Sequence, residues 1–198
     1  MASKDVITDE ILDAALSLAN QFGYGSLGLS DLARHAGITK QRLYYHYPTP
    51  ESVITALAEK WSQTGQACTI QALARANEVG PFKVVAIAKG MFDWMREYPE
   101  LSRLGLVLYQ SGPHIPELNK FMDGARKTSR DRIKSFLTQE KTFMKMKPKE
   151  LEEVVTSLHS YMYGFFFYVV AMNDFKNLNA HEATCLEGLR KLISTHLK

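Results

Sequence analysis

This sequence lacks most of what would mark an enzyme, a metalloprotein or a membrane protein. Two cysteines, Cys68 and Cys185, stand far apart in 198 residues and form no CxxC. That usage fits a reducing cytoplasm and supplies no metal site. The six histidines (His35, His46, His114, His159, His181 and His196) are scattered, with no pair at a ligand spacing beside a third donor, so no metal is expected. His159 stands on an apolar helix and is expected to be a hydrogen-bonded core or interface histidine. There is no Gly-rich phosphate loop and no nucleophile elbow, so neither a cofactor nor a catalytic residue is expected. The longest apolar run, "YMYGFFFYVVAM" (161–172), has 12 residues, short of the roughly 18 that crossing a membrane requires. A buried or partner-facing helix is expected there instead, with no membrane partner. The opening "MASKDVITDE" has no apolar stretch of signal-peptide type, and a cytoplasmic location is expected. The charge excess is small as well: net +3, with a pI near 8.8, too mild by itself to declare a nucleic-acid binder.

What remains is helix. Hydrophobic residues make up 45% and charged residues 23%, the balance of an ordinary globular chain. Nearly every segment has helical periodicity and none alternates for long, which predicts an all-α fold. Ile11, Ala15, Leu18, Ala19 and Phe22 recur on one face of a first helix that Gly23 and Gly25 end. A short second helix carries Leu32, Ala33 and Ala36, and Gly37 supplies the left-handed residue of a tight turn. Thr39 is a good N-cap for a third short helix running to about Tyr47. In "YPTPES", Thr49 caps and Pro50 opens a long fourth helix. Two short helices around a glycine turn make a helix-turn-helix signal. Beyond it, breaks at 79–82, 98–100, 111–117, 145–150 and 173–180 divide the chain into roughly six more helical segments.

The third helix holds the densest polar chemistry, "ITKQRLYYHY" (38–47). At 100° per residue, Leu43 and Tyr47 share a face flanked by Lys40 and Tyr44, which is expected to pack on the first two helices. Gln41, Arg42 and Tyr45 point the other way, with His46 at the margin. Gln suits adenine and Arg suits guanine in the major groove, while Lys, Thr and Tyr commonly hold phosphates. An ordinary solvated helix with long side chains is the plain alternative.

Residues from about 8 to 60 resemble the DNA-binding head of TetR-family transcription regulators. The matching elements are "IL-AA" at 11–15, "FGY" at 22–24, "LA--AGI" at 32–38, "LYYHY" at 43–47 and a Pro-rich turn before "ES". The resemblance implies a DNA-binding head over 1–50, a linking helix from about 50 to 66, and a helical ligand-binding and dimerisation body over 67–198. It places Thr39, Lys40, Tyr44, Tyr45 and His46 where phosphates are contacted or the helix is positioned. Gln41 and Arg42 fall where bases are read, and Ser30 where a base or phosphate is often reached. The chain departs from the pattern in three places. Gln41 replaces a common glycine, Pro50 replaces a lysine, and Gly28–Leu29 stand where Thr or Ser usually caps the second helix. Residues 1–60 hold five Lys/Arg against seven Asp/Glu, a net −2.

In the body, the resemblance implies a small-molecule cavity, and aromatic and Met residues are dense there. Phe92, Tyr109, Phe121 and Phe166 are the expected liners, which suits an apolar or amphipathic effector. The helix over 148–172 carries Val154, Val155, Leu158, Met162, Phe165, Phe166 and Val169, too apolar all round to face water. With Ala183, Leu186, Leu189, Leu192 and Ile193 of the last helix, it fits the family's four-helix interface across a two-fold axis. The expected protein is a homodimeric, ligand-responsive repressor of palindromic operator DNA. The alternative is a helical protein whose head docks a protein partner.

Overall fold

The periodic segments become ten α-helices in a computed structural model that describes residues 4–197, with backbone alone for residues 4–6 and 24. They are α1 (Lys4–Phe22), α2 (Leu29–His35), α3 (Lys40–His46), α4 (Pro50–Arg75), α5 (Lys83–Glu97), α6 (Pro99–Ser111), α7 (Pro116–Leu137), α8 (Lys141–Met144), α9 (Pro148–Ala171) and α10 (Leu178–Thr195). Short 3-10 turns stand at Tyr24–Ser26, Gly80–Phe82, Gly112–His114 and Phe175–Asn177, and no strand occurs among the described residues. The fold is all-α, as the periodicity predicts. Two compact units form: Met1–Gln63 with Glu100–Asp123, and Thr64–Pro99 with Gly124–Lys198.

In the first unit, α1 packs on α2 and α2 on α3. Ile11, Ala15, Leu18 and Ala19 of α1 are buried with Leu27, Leu32, Leu43, Ile54 and Leu57. Each Leu or Ile enclosed this way contributes roughly 1.5–3 kcal/mol of transfer free energy. Phe22 departs from expectation. It is 69% exposed, because the chain leaves the helix there and Gly23 turns away with φ 77°. Ser26 replaces a cap, its hydroxyl donating to the carbonyls of Gly23 and Leu18. A long-range tie joins α1 to α6: Asn20 Nδ2 donates to the Glu100 carbonyl at 2.8 Å and to Glu100 Oε2 at 3.1 Å.

The turn before α4 is built as its sequence suggests. Thr49 Oγ1 accepts the Ser52 N–H at 3.2 Å, and Ser52 Oγ accepts the Thr49 N–H at 3.3 Å. This reciprocal cap satisfies two of the orphan donors of a helix start. The helix then runs past residue 66 to Arg75, since "CTIQALAR" contains no breaker.

In the second unit α5, α9 and α10 pack on one another. Gly90 lets α5 approach α4 so closely that a Cβ there would lie 2.7 Å from the Thr69 Cα. Trp94 Nε1 donates to Thr64 Oγ1 at 2.9 Å, and its ring lies 6.1 Å from that of Phe166. Arg96 bonds Glu182 and Asn179, tying α5 to α10. One break was not legible in the sequence: α7 ends at Leu137 and α8 begins at Lys141. No Gly or Pro marks it. Thr138 bonds back to the Lys134 carbonyl, and the Glu140 carboxylate accepts the Lys141 N–H, so polar side chains do the stopping.

By length and composition α9 could cross a bilayer: it has 24 residues, with a mean hydropathy of 1.3 over its most apolar 18-residue window. The 12-residue apolar run understates it. Its buried residues nonetheless include Leu151, Val155, Leu158, Met162, Phe166 and Val169, the pattern of a core helix.

Candidate nucleic-acid interface

The candidate site begins with how α2 stops. Ile38 N–H bonds the Ala33 carbonyl at 3.0 Å and Gly37 N–H bonds the Arg34 carbonyl at 3.3 Å. This is a Schellman pair, and it needs the left-handed φ of 66° that Gly37 supplies. Two residues later Thr39, in extended conformation, caps α3 by accepting the Arg42 N–H on its side chain at 3.3 Å. The start of α2 is plainer: Gly28 gives no side-chain cap, as its sequence implies.

Seven residues of α3 are held by a narrow face. Leu43 is fully buried and Tyr47, just past the helix, nearly so. Burial, then the Asp9 and Glu59 carboxylates, push the Tyr47 phenol above its ordinary range. Lys40 and Tyr44 were expected to flank the packed face, yet both are exposed. So short a helix touches the head through one residue per turn, and longer side chains swing out to water. Gln41 and Arg42 are exposed, and Tyr45 is 77% exposed. His46 is half-buried, with Nδ1 3.4 Å from Thr8 Oγ1 of α1, and its ring stands edge-on to Tyr45 at 5.3 Å. Ser30 is exposed in the first turn of α2.

The net −2 of residues 1–60 does not describe this face. Asp9 and Asp13 are drawn to Lys60, at 3.8 and 3.0 Å, and Asp31 is paired with Arg34 at 2.5 Å. Lys40 and Arg42 make no ion pair among the described residues, and α3 contains no acid. An exposed helix therefore presents two unneutralised cations, an amide and two phenols. That set can meet both phosphates and base edges.

Residues 11–57 match the family model described as bacterial regulatory proteins, tetR family. That match falls on the head of this chain. The A-factor receptor protein of Streptomyces griseus is 33% identical over 109 residues, which is 52% of this chain and only 37% of that relative. Solved structures of transcriptional regulators share the fold over nearly the whole length. A transcriptional regulator from Rhodococcus sp. Rha1 superposes with a TM-score of 0.76 at 12% identity, covering 95% of this chain and 96% of that one. A TetR transcription regulator from Haloarcula marismortui gives 0.73 at 17% identity, covering 92% and 96%.

Of the expected effector residues outside the head, Phe92 and Phe166 are buried in the second unit. Tyr109 and Phe121 are half-buried in the first. The structure also singles out His159, which sequence reasoning set aside. It is buried as expected, but Nε2 has no hydrogen-bond partner among the described residues, at a cost of roughly 1–3 kcal/mol. Burial first, then the charges of Arg130 and Arg126, lower its pKa to about 4. Among the described residues no three His, Cys, Asp or Glu are grouped to hold a metal.

Proposed function

We propose that this protein is a ligand-responsive transcriptional regulator, acting in the cytoplasm as a homodimer on palindromic operator DNA and released by an apolar or amphipathic effector. Repression is the expected output. The observation that carries the reading is the acid-free, unneutralised face of α3, raised on a capped helix and anchored by Leu43. On it Gln41 and Arg42 read base edges. Lys40, Thr39, Tyr44, Tyr45 and Ser30 hold phosphates or the groove wall, and His46 sets the helix against α1. Residues 1–50 serve as the head, 50–66 as the linking helix, and 67–198 as the effector and dimer region.

Dimerisation is supported by what α9 and α10 leave uncovered. Tyr168 of α9 is 53% exposed and Met172, just past its end, 64%, with Leu192 exposed on α10. Gly164, one turn before Tyr168 on α9, opens onto free space. Such a face is apolar beyond what water favours, and a second copy would present two heads to adjacent half-sites. An effector would then act only through its different affinities for the DNA-competent and incompetent states. A gel-shift with the protein's own upstream region tests the reading. Binding that exceeds scrambled DNA by tenfold or more is expected, centred on an imperfect palindrome. Equal binding to both would remove it in favour of a head that docks a protein.

A further inference from the structure

We propose that His159 is the polar anchor of an effector site in the second unit, and that the effector it takes is a carboxylate with a flat apolar body. The proposal rests on the effector-responsive reading above and names the chemical class of the ligand.

The geometry comes first. His159 is 8% exposed, and its Nε2 is a buried polar atom without a partner among the described residues. Folded interiors rarely leave such an atom unmet, and an ordered water, an ion or a ligand can fill the position. One face of the ring is covered by Tyr163, stacked at 4.3 Å and 24°. From Tyr163 the aromatic wall continues to Phe166 at 6.2 Å, and from Phe166 to Trp94 at 6.1 Å and Phe167 at 5.1 Å. The Trp94 N–H is already satisfied by Thr64, so this wall offers ring faces and edges, with its unmet polar atom at the His159 end.

Electrostatics then select the partner. The charged groups acting on His159 are Arg130 and Arg126 of α7. Arg130 bonds Glu152 and Thr156 of α9, and Lys134 lies 3.7 Å from the same Glu152. The charges that act on the ring are those of the two arginines, so the field there is positive. A cationic ligand is disfavoured there, and a purely apolar one leaves Nε2 unmet. A carboxylate satisfies both: it accepts from the imidazole N–H and lies in a favourable field. A flat body lets it extend along the aromatic wall.

The test uses the full-length protein, with 2-naphthoate and its uncharged methyl ester as probes, read by calorimetry and tryptophan fluorescence at pH 7.5. The acid is expected to bind at least tenfold more tightly than the ester. His159→Phe should abolish that preference while leaving ester affinity within twofold. Should this variant fail to fold, the wild-type His159 ring nitrogens can be followed by NMR: Nε2 should shift with the acid and not with the ester. Equal affinity for acid and ester, a preference that survives His159→Phe, or an unmoved Nε2 resonance would each overturn the proposal and leave a structural histidine. So would the absence of acid binding while a non-acidic compound still releases operator DNA, in which case the regulator reading stands alone. If the acid binds through His159 but no compound alters DNA binding, the site stands and the regulator reading falls.

Discussion

The Thr39 hydroxyl accepts the backbone N–H of Arg42 at 3.3 Å, so the residue that opens α3 also holds the turn from which Gln41 and Arg42 project. Thr39→Ala should cost about 1 kcal/mol of head stability. Thr39→Ser should restore it, and urea denaturation followed by circular dichroism measures both. An Ala variant as stable as wild type would show that Leu43 packing alone secures the helix.

Charge and sequence reading on α3 separate by salt dependence. Lys40→Ala should weaken operator and scrambled DNA alike and reduce the salt slope by about 0.9 per head. Arg42→Ala or Gln41→Ala should cost about 1–3 kcal/mol on the operator only. Leu43→Ala is the control: it should destabilise the head by about 2–5 kcal/mol. If the operator-to-scrambled ratio survives both Arg42→Ala and Gln41→Ala, α3 does not read sequence.

Two glycines should respond in opposite directions. At Gly90 an added Cβ meets the Thr69 Cα at 2.7 Å, and backbone cannot swing aside, so Gly90→Ala should destabilise by about 1–3 kcal/mol. At Gly124 nothing lies within 4 Å, and Gly124→Ala should stabilise α7 by about 0.5–1 kcal/mol. Thermal melts of the two variants decide it, and a Gly90→Ala variant as stable as wild type would contradict the close α4–α5 approach.

The dimer is tested on α9. Gly164→Arg places a charge where nothing lies within 4 Å, and Tyr168→Glu does so at an exposed ring. Each should yield a folded monomer by light scattering at micromolar concentration. A dimer that persists in both variants would place the interface elsewhere.

His159 makes stability pH-dependent. Its pKa is lowered from 6.5 to about 4, by burial first and then by Arg130 and Arg126. The unfolded chain therefore binds the proton more readily. The neutral ring's contribution is fully present above pH 6.5 and is lost as the pH falls toward 4. The linkage amounts to at most about 3 kcal/mol. Melting temperatures from pH 7 to 4.5 should fall less steeply in His159→Phe than in wild type. Parallel curves would mean that His159 is not the group responsible.

The all-α class, the Gly37 turn, the Thr39 and Thr49 caps and the inward Leu43 were all legible in the residues, because each depends on a few neighbours along the chain. Helical spacing, a glycine at positive φ and a hydroxyl within reach of an N–H three residues on are local facts. Where the reading failed, it met polar stops and packing. Thr138 and Glu140 ended α7 without a Gly or Pro, and Phe22, periodic with the buried face of α1, was left outside because the chain turned before anything could cover it.

Only the tertiary structure decided the electrostatics and the state of His159. Composition made residues 1–60 acidic, but folding brought Lys60 to Asp9 and Asp13 from some fifty residues away and left Lys40 and Arg42 unneutralised. A histidine on an apolar helix reads the same whether its ring nitrogen is satisfied or not. The difference depends on which groups α7 and the aromatic wall bring beside it, and Coulomb energy and hydrogen bonding act over distances in space that sequence separation does not measure.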